Sequence, residues 1–291
     1  MHFDYILAVS DFTVLSEHAL ERAAMLARQH QVTLRLIHLA EGQNAFPSDP
    51  IARLGQRARQ LARRHGIPVH AIERSASLQD VLTEAHTATL LVMGPLSQRS
   101  WKRFHLGTTL DQAVHGSLCP LLVVKQAPVR SYERVLVAVD LSPRSKSLID
   151  FAGLFSAPTR LKLFHAIDTI EDAKLRSVNV SPELIQSYRL GSRQHARDRL
   201  AQLLDGVAAA APASTVPAVS FDVGNGDPAY STALHQQATR ADLVVVGKRR
   251  SSTLVQFFTG SVAQRLAKWA DGDVLIAPFD RLNMAADADR R

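Results

Sequence analysis

A single cysteine, Cys119, stands in 291 residues, so no intramolecular disulfide can form and nothing ties the chain to an oxidising compartment. No apolar run approaches the ~20 residues that a membrane-spanning helix needs. The amino terminus, Met1-His2-Phe3-Asp4, has no basic stretch leading into an apolar one, so no secretory signal is expected and the cytoplasm is the expected compartment. Twelve histidines form no H-x-H, H-E-x-x-H or cysteine-paired spacing, which argues against a metal site. The nucleophile elbow G-x-S-x-G is absent too, so no catalytic residue is assigned and the chain is not expected to be an enzyme. Nor are the arginines massed into one run, although the net charge is +7 and the pI near 9.9. A scattered basic surface is mostly solvated, yet it still draws anionic partners over a distance that salt shortens.

What is present is a repetition. Tyr5-Ile6-Leu7-Ala8-Val9-Ser10-Asp11-Phe12-Thr13 returns as Arg134-Val135-Leu136-Val137-Ala138-Val139-Asp140-Leu141-Ser142, an apolar strand ending in aspartate. Leu90-Leu91-Val92-Met93-Gly94 leads, thirteen residues on, to Gly107-Thr108, and Leu243-Val244-Val245-Val246-Gly247 leads over the same distance to Gly260-Ser261. Two blocks recurring in one order mark a tandem duplication. The expected domains are 1–128 and 129–282, followed by a frayed tail over 283–291.

Short Val/Leu/Ile runs alternating with amphipathic segments indicate parallel strands joined by helices. Strands are expected near Tyr5 to Val9, Thr33 to Leu39, Val69 to Glu73, Leu90 to Met93 and Leu121 to Val124, with their counterparts in the second half. Leu148, Phe151, Ala152 and Phe155 recur at helical spacing after the strand ending at Asp140, as Leu15, Ala19, Ala23 and Leu26 do in the first copy. Asp11 to Gly94 spans 83 positions and Asp140 to Gly247 spans 107, so the second copy carries 24 extra residues. They read as a loop over Asp168 to Val180 feeding a long helix that stops near Ala208 to Ala211, before Pro212 and Pro217.

The chemistry concentrates where strands end. A strand ending in glycine lets a ligand approach its backbone, and a Gly-Ser pair opening a helix offers amide donors and a hydroxyl to phosphate. The run Gly247-Lys248-Arg249-Arg250, then Gly260-Ser261-Val262, after a first strand ending in Asp140, resembles the nucleotide-binding branch of the universal stress proteins. That resemblance covers nearly the whole chain. It implies an α/β fold of two tandem, doubly wound, five-stranded parallel-sheet domains (Rossmann-like, strand order 3-2-1-4-5), paired through Leu121 to Val124 and Val274 to Ala277 as a pseudo-dimer. It also implies a stress-linked sensor or regulator that binds ATP or another adenine nucleotide. Asp140 and Ala166 would meet the adenine, Val246 and Gly247 the ribose, and Gly260, Ser261 and Val262 the phosphates. The matching set in the first copy is Asp11, Leu39, Met93, Gly94, Gly107, Thr108 and Thr109.

Both copies depart from that pattern at its middle glycine, which is Arg250 in the second and Ser97 in the first. A side chain at a left-handed position costs roughly 1–2 kcal/mol. Arg250 offsets the loss with a guanidinium that pairs phosphate oxygens, flanked by Lys248 and Arg249, whereas Pro95 stiffens the first copy's loop. The second domain is therefore the expected site. A rival reading is a nucleotide-free module that uses its basic loops and the insertion to contact a protein, lipid or RNA, and association into a homodimer stays open. A minor one is an NADP-dependent oxidoreductase, because Gly224-Asn225-Gly226-Asp227-Pro228-Ala229 imitates a dinucleotide fingerprint. The duplication makes the strand before Gly224 the third of its unit, and Asp227 with Pro228 fits a helix cap better. His38 and His165 recur at equivalent strand ends, where a hydrogen bond across the sheet suits them, and Cys119 suits a buried apolar position. The Trp101 to His105 cluster reads as packing over its own domain.

Overall fold

The computed structural model describes residues 3–40, 48–95, 108–169, 180–210, 219–248 and 261–282, without the side chains of 156–160 and 207–210. The chain divides into two compact units, Met1–Ser131 with Gly272–Arg291, and Tyr132–Asp271.

The first unit begins with β1 (Tyr5–Ser10), α1 (Val14–His30), β2 (Thr33–Leu39), α2 (Pro50–His65) and β3 (Val69–Ala76), and continues through α3 (Leu78–Glu84), β4 (Leu90–Met93), α4 (Thr109–Gly116) and β5 (Leu121–Val123). β1 lies parallel to β2, Tyr5 opposite Thr33 and Ser10 opposite His38, and on its other side parallel to β4. The resulting order β3-β2-β1-β4-β5 is that of a doubly wound sheet. Ile6, Leu7 and Ala8 are fully buried, as an unbroken apolar strand must be when helices cover both faces. α1 packs with α2, and α3 with α4, the sorting that right-handed crossovers impose. The edge beyond β5 is closed by β10 (Asp273–Pro278), antiparallel, with Val274 opposite Val123 and Ile276 opposite Leu121.

Local signals account for the helix starts. The Thr13 hydroxyl accepts the Ser16 amide to cap α1, Asp49 caps α2 with Pro50 behind it, and Ser77 with Asp80 forms a capping box on α3. Leu15, expected on the apolar stripe of α1, is 37% exposed in the first helical turn, whereas Ala19, Ala23 and Leu26 are buried. Gly94 is fixed by packing: a Cβ there would stand 2.9 Å from the carbonyl carbon and oxygen of Leu15.

The second unit comprises β6 (Tyr132–Ala138), α5 (Ser145–Gly153), β7 (Ser156–Ile167), α6 (Pro182–Ala210), β8 (Ser220–Asn225), α7 (Pro228–Thr239), β9 (Leu243–Lys248) and α8 (Val262–Trp269). Its order is β9-β6-β7-β8, with Val135 opposite both Leu161 and Leu243. α5 ends at Gly153, so Phe155 falls beyond it, yet the side chain remains buried. α6 is the long helix of the insertion, and the loop residues 170–179 before it lie outside the described residues. Ile185, Ala196 and Leu200 anchor it, while Leu184 and Leu190 are each 63% exposed.

β8 is the third strand of its repeat, and the glycines near its end have packing reasons. A Cβ on Gly224 would stand 2.6 Å from the Phe164 ring, and Gly226 takes φ +111° while donating to the Ile167 carbonyl at 2.9 Å. Asp227 caps α7 through the Tyr230 amide, with Pro228 at the first helical position. Among the described residues no helix is long and apolar enough to cross a membrane.

Candidate functional site

The turns that follow β1 and β6 share an uncommon backbone. Phe12 and Leu141 both have φ of 58°, a left-handed conformation that disfavours large side chains. The preceding aspartates hold the turns. Asp11 accepts the amide and hydroxyl of Thr13 at 3.0 and 2.6 Å, and Asp140 accepts the Ser142 amide at 3.0 Å and the Ser145 hydroxyl at 3.2 Å. Asp140 remains exposed at the carboxyl end of the sheet.

The other expected residues gather at the same end of the second unit. Val246 stands opposite Ala138, so Gly247 and Lys248 extend β9 beside the turn that holds Asp140. β9 lies on one side of β6 and β7 on the other, which makes this the point where the winding reverses and where α/β sheets bind ligands. Ser261 caps α8 and Val262 is its first residue. The Ser261 hydroxyl accepts the Gln264 amide at 3.2 Å, and the Gln264 side chain accepts the Ser261 amide at 2.7 Å. Thr108 and Asp111 build the same box at α4. Arg250 and Gly260, with Arg249, Ser97, Gly107 and the Trp101 to His105 cluster, lie outside the described residues.

Ala166 is at the end of β7, opposite Gly224, but strand alternation turns its neighbours His165 and Ile167 to the other face. There they line an open cavity of about 450 Å³ with Leu141, and α6 closes its far side with Tyr188, Gly191, Ser192 and His195. Tyr188, Gly191 and His195 follow one another at helical spacing on one face of the long helix expected for the insertion, a signal present in the sequence that marks no chemistry by itself. The His165 Nδ1 donates to the Val139 carbonyl at 2.8 Å.

The corresponding place in the first unit is occupied. The Phe12 ring lies 5.0 Å from the His38 ring, and the Arg53 guanidinium sits 5.0 Å over the Phe12 ring. His38 Nδ1 bonds the Ser75 hydroxyl at 2.8 Å. Burial holds its pKa below the ordinary value, with Asp11 pulling the other way. Both recurrent histidines thus make hydrogen bonds across the sheet.

Elsewhere in the second unit, Asp222 binds Lys162 at 2.7 Å and lies 3.2 Å from His235, whose ring stacks on Phe164 at 4.4 Å. Asp227 pairs with Arg265 at 2.6 Å. The Cys119 thiol is buried and burial raises its pKa, which suits an inert apolar side chain. Among the described residues no group of three or more His, Cys, Asp or Glu side chains is placed to hold a metal.

The universal stress protein family matches this chain twice, over residues 2–125 and 131–278. A universal stress protein from Archaeoglobus fulgidus DSM 4304 is similar in structure at 16% identity, covering 95% of this chain and 97% of that one, with a TM-score of 0.67. A functionally unknown protein from Pseudomonas aeruginosa PAO1 is similar at 19% identity over 98% of both chains, with a TM-score of 0.59. At such identities these likenesses bear on the fold alone. No curated protein matches.

Proposed function

The chain belongs to the universal stress protein family, and we propose that it binds an adenine nucleotide, ATP foremost, in its second domain and acts in the cytoplasm as a stress-linked sensor or regulator, not as a catalyst. The observation that carries this reading is the contrast between the repeats. The first fills the space over its strand-end histidine with Phe12 and Arg53, and the second leaves a cavity of about 450 Å³ over His165. That opening is lined by Leu141, next to Asp140, at the carboxyl end of a sheet whose winding reverses between β6 and β9, and we infer that Val246, Gly247 and the amino end of α8 complete the site from there. Ala166 would contribute through its backbone, and Gly260, Ser261, Val262 and Arg250 would meet the phosphates.

The test begins by denaturing the purified protein and identifying any released small molecule by mass spectrometry, followed by titration with ATP, AMP and NADPH. ATP should bind, and Asp140→Asn should weaken it while an amide oxygen preserves the turn. Absence of binding by every nucleotide at millimolar concentration overturns the reading. It would favour the interaction module, for which the exposed Leu184 and Leu190 of α6 are the supporting observation. Tight NADPH binding would instead revive the oxidoreductase, despite the packing reasons for Gly224 and Gly226.

A further inference from the structure

We propose that the cavity beneath α6 receives the purine ring of the nucleotide, so that the helix of the insertion is the wall that selects the base. This rests on the nucleotide reading above and assigns to it residues given no role there: Leu141 and His165 of the repeat, and Tyr188 and Gly191 of the insertion.

The chain carries its own template for the occupant. Phe12 and Leu141 leave the backbone from the same φ of 58°, so their side chains depart in corresponding directions. In the first repeat that direction holds a benzyl ring, set against the His38 imidazole and covered by Arg53 from the following helix. In the second repeat the side chain is the smaller isobutyl group, the imidazole is His165, and the following helix presents Tyr188. A planar aromatic ring from a ligand restores the arrangement that Phe12 completes internally. Tyr188 offers it a stacking face with few rotatable bonds to immobilise.

Gly191 points to the same use. It lies inside α6, where glycine lowers helix stability, and a Cβ built there meets nothing within 4 Å. Helix packing does not require the missing side chain, at Gly191 or at Gly206 of the same helix, but at Gly191 its absence keeps the cavity open. His165 adds a preference among bases. A carbonyl only accepts, so the 2.8 Å contact with the Val139 oxygen puts the proton on Nδ1 and leaves Nε2 of the neutral ring an acceptor. An acceptor favours the 6-amino group of adenine over the 6-oxo group of hypoxanthine.

Calorimetric titration of the full chain with ATP and ITP, together with thermal melts, tests the assignment. Leu141→Phe supplies from within the ring that the ligand would bring, in a backbone conformation Phe12 already adopts, and should weaken ATP at least about ten-fold without lowering Tm substantially. Gly191→Leu should raise Tm, because leucine is the better helix former, and still weaken ATP about ten-fold by filling the cavity. Wild type should prefer ATP to ITP. Unchanged ATP affinity in both variants overturns the base assignment and leaves the nucleotide reading standing, whereas no ATP binding by wild type removes both. Equal affinity for ATP and ITP overturns the contact with His165.

Discussion

Asp111 and Gln264 occupy the third position of matching helices, and each reaches back to the residue that caps its helix. Asp111 accepts the Thr108 amide at 2.9 Å, and Gln264 accepts the Ser261 amide at 2.7 Å. The geometry is shared and the charge is not. A carboxylate at the amino end of a helix neutralises the partial positive charge that the macrodipole concentrates there. The start of α4 thus carries its own anion, while α8 offers its amino end to an anion from outside.

Gln264→Glu should convert the second site toward the first. The capping bonds survive, and the helix gains about 0.3–1 kcal/mol from the added charge. The same charge opposes the phosphates, so ATP affinity should fall about ten-fold, most at low salt. Calorimetry at two ionic strengths checks this. An unchanged affinity would mean that the phosphates do not approach α8.

Gly94→Ala and Gly66→Ala separate two reasons for glycine. At Gly94 the new methyl meets the Leu15 backbone at 2.9 Å, and neither element gives way easily, so a loss of about 2–3 kcal/mol is expected. Gly66 has open space but φ of +66°, so the cost is backbone strain alone, about 1 kcal/mol. Urea denaturation of both variants gives the comparison. Equal losses would refute the close approach as the reason for Gly94.

The strands were legible because they are continuous apolar runs: Leu90–Met93 and Leu121–Val123 fall within one residue of their expected bounds. The order 3-2-1-4-5 came with the family resemblance, which the repeated strands ending at an aspartate and a glycine carry, and right-handed crossovers are consistent with it. Cap residues such as Asp227 were legible through their local hydrogen-bonding chemistry. The cavity was not. It depends on Leu141 being smaller than Phe12 and on where α6 crosses β7, and neither size contrast nor long-range packing shows as periodicity. Leu141 was visible only as a position in the frame, and its left-handed φ is set by the Asp140 turn.

Acid should destabilise the protein in two stages. Burial lowers the pKa of His38 and of His235 from the ordinary value of 6.5, against the pull of Asp11 and Asp222 respectively. The folded chain then binds fewer protons than the unfolded one. The stability these residues confer is complete above 6.5 and is lost as pH falls through their folded pKa values. The second stage is carried by Glu21 and Asp227. Burial would raise both, but hydrogen bonds and neighbouring cations outweigh it and hold them below 4.5 and 3.8. Asp150, raised by burial, opposes that stage. Tm should be flat from pH 8 to pH 7 and decline from about pH 6.5. His38→Gln with His235→Gln should remove the first decline and keep the second; if the double variant retains both, the histidines are not its source.

The buried pair Arg22 and Asp273 should be the most sensitive polar contact of the first unit. Arg22 is 6% and Asp273 1% exposed, with Nε 3.6 Å from the carboxylate. The guanidinium also donates to the Arg130 carbonyl at 2.7 Å, and Asp273 accepts the Lys125 and Gln126 amides at 2.8 and 3.3 Å. One carboxylate at the start of β10 therefore holds α1 and the segment after β5 together. Asp273→Ala leaves a buried cation without that carboxylate and two amides without their acceptor, and should cost about 3–5 kcal/mol. Asp273→Asn keeps an acceptor for the amides and should cost less. Arg22→Met removes the stranded charge, so combining it with Asp273→Asn should recover part of the loss, giving a coupling energy of about 1 kcal/mol or more in a double-mutant cycle. Urea denaturation supplies all four corners of that cycle, and strict additivity would show that the two side chains do not act as a pair.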